Sequence, residues 1–383
     1  MSVAADNPAG LWTSAEIAAA TGGTASADFI VSGVTFDSRE VQPGDLFIAM
    51  RGEDTDGHRF IDAALAAGAA GIVCETAIDG PHVRVADGFA ALTALGHAAR
   101  ARTAATVFGV TGSVGKTGTK EALAAALDRW QPGCVHRSVK SYNNHTGVPL
   151  SLARMPRNAS FGVFEMGMNH AGEIAGLTAM VRPHVAIITA VAPAHIENLG
   201  SIEAIARAKA EVFEGLEPDG VAIIPQDSLQ IDILARAASA HAAHVVRFGT
   251  SAGASVRALD WVMGHDTGGS IVTAQVHDTT LCFGLAPPGD HWVSNAMAVL
   301  AAVAAVDGDL SAAGIALAAL PGLAGRGQRH RIAAGDGDAL LIDESYNANP
   351  ASMAATLAIL AREPAQRRVA VLGAMKELGV HGP

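Results

Sequence analysis

Two glycines, a lysine and a hydroxyl stand close together in Gly112-Ser113-Val114-Gly115-Lys116-Thr117, directly after the apolar run Thr106 to Val110 and directly before a helix-forming stretch. Backbone N–H groups at a helix N-terminus, approached closely because glycine carries no side chain, suit phosphate oxygens, and a lysine with a neighbouring hydroxyl addresses the outer phosphates and their cation. The strict long form of such a loop would need glycine at position 110, where Val110 stands, so the match is to a shorter form. An ordinary strand-to-helix turn would also carry glycines. The order strand, loop and helix favours nucleotide binding by Gly112, Ser113, Val114, Gly115, Lys116, Thr117 and the following Gly118, but it names no reaction. Three further ionisable residues follow predicted strands, where open α/β sheets place ligands: Glu165 closes "FGVFE", His195 follows "HVAIITAVAPA", and Lys209 lies in "AIARAKAEVF". Taken singly, each is as readily a structural residue as a functional one.

The elements that must position these residues read as α/β throughout. A chain of 383 residues exceeds one ordinary core, so two or three domains are expected. Strand-like pieces "FIVSGVTFDS" and "DLFIAM", the helix "FIDAALAAGAAG" and the strand "IVCE" make a small unit in the first hundred residues. A helix from Gly88 to about Ala101 then leads into the strand before the loop. Strands "FGVFEMG", "HVAIITAV" and "GVAIIP" alternate with helices "AGEIAGLTAMV" and "SIEAIARAKAEVFEGL", which predicts a parallel sheet. From Val245 to Leu285 short β-like runs suggest a flap beside that sheet, and a long helix should run from about Trp292 to Val306. After "LPGLAGRGQRH" a further alternation begins: strand "ALLIDESY", helix "ASMAATLAILA" and strand "RRVAVLG".

Half the residues are apolar and 16% are charged, yet the Ala-rich run from Ala296 to Val306 ends at "DGD", well short of a bilayer span. A soluble protein is expected. Cys74, Cys134 and Cys282 have neither disulfide nor metal-ligand spacing, which favours a reducing cytoplasm. A net charge of −11 without a basic run argues against a nucleic-acid surface and for a small ligand.

The motifs "TGSVGKTGTKE", "NNHTGVPLSL", "FEMGMNHAGEI", "APAHIENLGSIEAIARAKAEV" and "HWVSNAMAVLAA", together with "VTFDSREVQPGDLFIAMRGEDTDGHRFI" and "LIDESYNANPASMAATL", resemble those of the Mur ligases, ATP-dependent enzymes that form amide bonds in peptidoglycan precursors. The resemblance runs from about Ser32 to Gly379. It implies three domains: an N-terminal UDP-sugar-binding domain over 1–102, a central phosphate-loop ATPase domain with a parallel sheet over 103–320, and a Rossmann-like ligase domain over 321–383. Relatives carry the last domain further, so it is expected here to be partial.

The resemblance also implies the chemistry and its residues. The γ-phosphoryl of ATP passes to a substrate carboxylate, and the acyl phosphate is then attacked by an amine. Thr117 and Glu165 would hold Mg²⁺, His195 would sit at a second Mg²⁺, and Lys209 matches a lysine carbamylated by CO₂. Lys116, Glu165, His195 and Lys209 form the expected catalytic set. His291 and Asn295, spaced on one helix face, fall where relatives hold adenine, with Asn295 the stronger candidate, although capping or core roles suit both residues. Arg326 and Asp343 match residues that reach the phosphates and ribose, with a hinge near Leu320 to Gly325. The implied partners are UDP-N-acetylmuramoyl-tripeptide, met by Ser38, Arg39, Asn143 and Asn144, and D-alanyl-D-alanine, met by Tyr346, Asn347 and Asn349. Turn roles are the alternative for both asparagine pairs. A monomer without membrane insertion is expected.

Two departures stand out. Gly118 follows Thr117 where relatives usually carry a hydroxyl residue, and Ala374 replaces a usual acidic residue. Three alternatives remain at this point: a binding fragment that cannot complete transfer, a regulatory ATPase, and the ligase that adds the third amino acid.

Overall fold

The computed structural model describes residues 10–52, 55–194, 196–264, 269–335 and 337–375. The chain forms two compact units. One comprises 1–107, 133–164 and 180–182, and the other 108–132, 165–179 and 183–383, so the backbone passes between them several times.

In the first unit a sheet has the order Thr24–Ala25, His82–Arg84, Gly71–Cys74, Asp45–Ile48, Gly33–Thr35. All neighbours are parallel except the first pair. Parallel strands need crossover connections, and helix Ile61–Ala66 supplies one, placing Ile61 and Ala64 on Phe47, Ile72 and Cys74 in a common apolar cluster. Cys74 is therefore a core residue. Helix Ser14–Thr21 starts at a capping box in which Thr13 and Glu16 satisfy each other's backbone N–H groups. Helix Gly88–Arg102 starts where Asp87 accepts from the Ala90 N–H. The same unit holds strand Val135–Arg137, which is parallel to Phe161–Glu165, and the short helix Gly147–Ala153.

In the second unit the strands run across the sheet in the order Thr279–Leu285, Ser270–Val276, Val256–Met263, His244–Gly249, Val221–Pro225, Val185–Ile188, Thr106–Thr111. From Thr106–Thr111 to Val256–Met263 every pair is parallel, as the alternation predicts. The runs expected as a flap beside the sheet instead continue it, Val256–Met263 as a parallel strand and the next two as antiparallel ones. Their alternating buried and exposed residues suit a sheet with one face covered, and edge pairing satisfies backbone groups that a detached flap would leave open. Helix Asp290–Ala304 crosses this sheet, and every residue from Ala296 to Val303 is buried. A helix apolar on all sides belongs inside a protein, and its alanines let neighbouring backbones approach closely. Among the described residues no helix is long and apolar enough to span a membrane.

The last described segment of this unit is an antiparallel hairpin, Gln328–Ala334 with Gly337–Asp343, followed by helix Pro350–Arg362. The run "RRVAVLG", expected as a strand, forms none among the described residues. Val371 is 93% exposed there.

Candidate functional site

Strand Thr106–Thr111 carries the loop at its C-terminal end. Val110, the position where glycine was absent, is a fully buried strand residue paired with Ile187, and Thr111 still pairs with Ile188, so the loop begins at Gly112. A β-carbon at Gly112 would lie 2.0 Å from the Thr189 hydroxyl, and one at Gly115 would lie 2.6 Å from Asn295 Oδ1. Gly115 also has φ +84°, a conformation that disfavours any side chain. Both glycines are thus required by geometry.

The loop is tied to the end of the neighbouring strand. The Thr189 hydroxyl donates to the Val114 carbonyl, with the Thr111 carbonyl 3.2 Å away. The Ser113 N–H donates to Ala190 O at 2.8 Å, and its hydroxyl donates to Ala192 O and accepts from the Ala192 N–H, both at 2.9 Å. Helix Lys116–Trp130 begins at Gly115 with no side-chain cap, so the positive end of its dipole lies at the loop. An anion fits there.

Lys116 Nζ donates to the Gly112 carbonyl at 2.8 Å. Burial lowers its pKa, the Glu165 carboxylate opposes that shift, and the Arg326 charge adds to it. The Thr117 hydroxyl donates to Glu165 Oε2 at 2.9 Å, and Glu165 itself is only 1% exposed at the end of its strand. Lys209 is 2% exposed on helix Ile202–Ala210. Burial, and then the nearby Lys116 charge, hold its pKa well below the usual lysine value. Lys116, Thr117, Glu165, Lys209 and Arg326 therefore belong to one electrostatic constellation. His195 lies outside the described residues.

A cleft of about 760 Å³ opens beside the loop. Ser113, Lys116, Pro193 and Ala194 line one side, and the run from Leu340 to Asn349 lines another, bringing Asp343, Tyr346, Asn347 and Asn349 to the same space as Lys116. A cleft of this size suits a small organic ligand.

These features coincide with what comparison of whole chains finds. Residues 110–303 match the model described as Mur ligase middle domain, and residues 30–125 match that of the Mur ligase family, catalytic domain. The chain belongs to the Mur ligase family. Among curated relatives of that family, a UDP-N-acetylmuramoyl-tripeptide--D-alanyl-D-alanine ligase of Synechocystis is 36% identical over 94% of this chain and 76% of the relative. The ligase of the same name from Escherichia coli is 37% identical over 92% and 76%. Among solved structures, a MurF from Acinetobacter baumannii superposes with a TM-score of 0.84 at 32% identity, covering 97% of this chain and 81% of that one. A Thermotoga maritima MurF ligase in complex with ADP gives 0.75 at 29% identity, covering 91% and 79%.

The remaining Mur ligase positions fall as follows. Asn295 is buried against Gly115, whereas His291 is exposed on the same helix. Arg326 stacks over Tyr346, its guanidinium carbon 4.4 Å from the ring centroid. Gly325, within the run expected as a hinge, is left-handed, and its carbonyl accepts from the Tyr346 N–H at 3.2 Å. Asp343 accepts from the Ser345 N–H at 3.0 Å, and hydrogen bonds with Ser345 hold its carboxyl below the usual range. Asn347 Oδ1 accepts from the Ala348 N–H at 2.9 Å. Asn349 caps helix Pro350–Arg362 reciprocally with Ser352.

In the first unit, Arg39 is exposed and pairs in bidentate fashion with Asp37, so its charge is already partly answered. Asn144 Oδ1 accepts from the N–H groups of Thr146 and Gly147, a turn role at the start of helix Gly147–Ala153. Ser38 and Asn143 are half-buried in their respective loops. Glu40, which sequence reasoning passed over, joins those loops: its carboxylate accepts from Lys140 Nζ and from the Tyr142 hydroxyl. Glu344 was passed over too. It lines the cleft with Lys116, and burial pushes its carboxyl up against the opposing influence of Thr356 and Arg326.

Proposed function

We propose that this chain joins D-alanyl-D-alanine to UDP-N-acetylmuramoyl-tripeptide at the expense of ATP, through an acyl phosphate, giving the UDP-N-acetylmuramoyl-pentapeptide precursor of peptidoglycan. The observation that carries the reading is the shared cleft, with the phosphate loop's Ser113 and Lys116 on one wall and the run from Asp343 to Asn349 on another. Relatives bearing that ligase name at 31–37% identity over most of the chain support it.

A carboxylate oxygen is a poor leaving group. Its attack on the γ-phosphorus forms an O–P bond and releases ADP. The amine then attacks the acyl carbon, the tetrahedral centre collapses, and phosphate leaves as the nitrogen loses its proton. This chain's part is to bring three anionic groups together. The loop N–H groups cradle the nucleotide phosphates, and Lys116 exchanges the Gly112 carbonyl for a phosphate oxygen. The Thr117 hydroxyl and Glu165 carboxylate are hard oxygen donors, a set that fits Mg²⁺ completed by phosphate oxygens and water. When bound, the ion screens the repulsion between phosphate and carboxylate. His195 takes the role the family pattern gives it, at a second Mg²⁺.

Lys209 is carbamylated in this reading. CO₂ adds only to a neutral amine, forming an N–C bond and releasing a proton, and the buried position beside Lys116 favours that neutral state. The product is an anion where a cation would be repelled. Arg326 and Asp343 meet the nucleotide, and Asn295 supports it from behind Gly115. Tyr346, Asn347 and Asn349 shape the dipeptide pocket, while Ser38, Arg39, Asn143 and Asn144 meet the UDP-sugar peptide. Functionally the chain divides into 1–102, 103–320 and 321–383 and works as a cytoplasmic monomer.

The test is direct: incubate the protein with ATP, Mg²⁺, UDP-N-acetylmuramoyl-tripeptide and D-alanyl-D-alanine, and measure the pentapeptide by mass alongside phosphate release. Release that depends on both co-substrates is expected. ATP hydrolysis indifferent to either would overturn the reading.

A further inference from the structure

Gly118 is the residue at which this chain departs from the hydroxyl expected after Thr117, and the structure shows what stands in its place. A β-carbon at Gly118 would lie 2.9, 3.2 and 3.5 Å from Cη2, Cζ2 and Cζ3 of Trp292, the outer edge of the indole. Gly118 lies within the first turn of helix Lys116–Trp130, and its φ is ordinary, so nothing in its backbone demands glycine. The demand is steric. Trp292 is 8% exposed and lies among buried residues of helix Asp290–Ala304, so its ring has little room to retreat.

The contact has a second member. Asn295, three residues after Trp292, sits against Gly115, three residues before Gly118. Residues three apart share a helix face, so one face of helix Asp290–Ala304 meets the phosphate loop and its helix at two matched points. The indole fills the volume that a side chain at 118 would occupy, and the amide sits where one at 115 would stand. Between those points are Lys116 and Thr117.

We infer that Trp292 is a positioning residue of the nucleotide site: seated on Gly118, it sets the separation of the two helices, and thereby the placement of Thr117 and Asn295 around the phosphate loop. The inference rests on the reading of Gly112 to Thr117 as a nucleotide loop. Trp292 touches no nucleotide atom in this account and acts through Gly118. Gly118→Ser forces the helices apart, and Trp292→Leu makes room without removing the apolar contact.

The experiment measures ADP·Mg²⁺ affinity by calorimetry, together with the ATP KM and kcat of ligation, for the unsubstituted protein, Gly118→Ser, Trp292→Leu and the double variant, with thermal unfolding of each. Gly118→Ser should weaken ADP binding and raise the ATP KM about tenfold or more, with a smaller change in kcat, as overpacking a tight contact does. The double variant should recover most of that loss, although Trp292→Leu alone lowers the unfolding temperature. Recovery of nucleotide affinity without recovery of stability is what simple core packing would not produce. Binding by the unsubstituted protein with no loss in Gly118→Ser, or with no recovery in the double variant, would overturn the positioning role alone. Failure of the unsubstituted protein to bind ADP would overturn the nucleotide reading and this inference with it.

Discussion

The Arg326 guanidinium lies over the Tyr346 ring, its central carbon 4.4 Å from the centroid. One residue is expected at the phosphates and the other at the dipeptide, so this stack joins two halves of the proposed reaction through a single contact. Tyr346→Phe keeps a ring face and should change ligation little, whereas Tyr346→Ala removes the ring on which Arg326 stacks. Steady-state kinetics should then show the KM for ATP and for D-alanyl-D-alanine rising together, by about three- to tenfold, the scale of a cation–π contact.

Lys116→Ala should reduce pentapeptide formation at least about a hundredfold, the scale of removing one electrostatic stabiliser of a reacting group. Phosphate release is the readout. Lys116 is half-buried at a helix terminus rather than packed in the core, so the unfolding temperature should move little.

The Thr117 hydroxyl donates to Glu165 at 2.9 Å, and both are buried. Glu165→Gln preserves the shape but removes the charge that a divalent cation needs, so a Mg²⁺ titration of activity should shift about tenfold or more to higher concentration. An unchanged titration would remove Glu165 from the metal site.

His136 donates from Nε2 to the Ser151 carbonyl at 2.7 Å, and burial depresses its pKa from 6.5 to about 4. The folded state thus keeps the ring neutral while the unfolded chain takes up a proton below pH 6.5. Stability from this residue is fully present above pH 6.5, declines as pH falls, and is lost once pH passes below about 4. Urea unfolding should show a loss of about 3 kcal/mol across that window, and His136→Gln should flatten it.

Asn349 satisfies the N-terminus of helix Pro350–Arg362, so Asn349→Ala should destabilise that helix by about 1 kcal/mol while Asn349→Asp retains it. Hydrogen exchange over residues 352–362 provides the measurement. A rise in dipeptide KM confined to the alanine variant would show that the cap and the pocket are one structure.

Much of this site was legible because its chemistry is local. The glycines, Lys116 and Thr117 lie in one short run, and a strand before it with a helix after it fix their disposition; Glu165 was legible as the last residue of a buried strand. What escaped depends on separation in sequence or on partners. Glu40 and Lys140 are a hundred residues apart, and no periodicity links them. Trp292, in an alanine-rich helix, reads as ordinary core until Gly118 is found beneath it. The strands from Val256 to Leu285 alternate as a flap would, and only pairing shows that they extend the main sheet. Asn349 both caps helix Pro350–Arg362 and lines the cleft, two roles that the residue type alone does not separate. Val369 to Leu372 has strand composition but pairs with no strand among the described residues.

The phosphate loop is anchored by Thr189, Ser113, Ala190 and Ala192, and Lys116 is already bonded to the Gly112 carbonyl. A ligand arriving there meets a cradle that needs no assembly, and the lysine trades one oxygen for another. Nucleotide capture should consequently be fast, with a modest heat-capacity change, leaving slower reorganisation to whatever elements enclose the two other substrates.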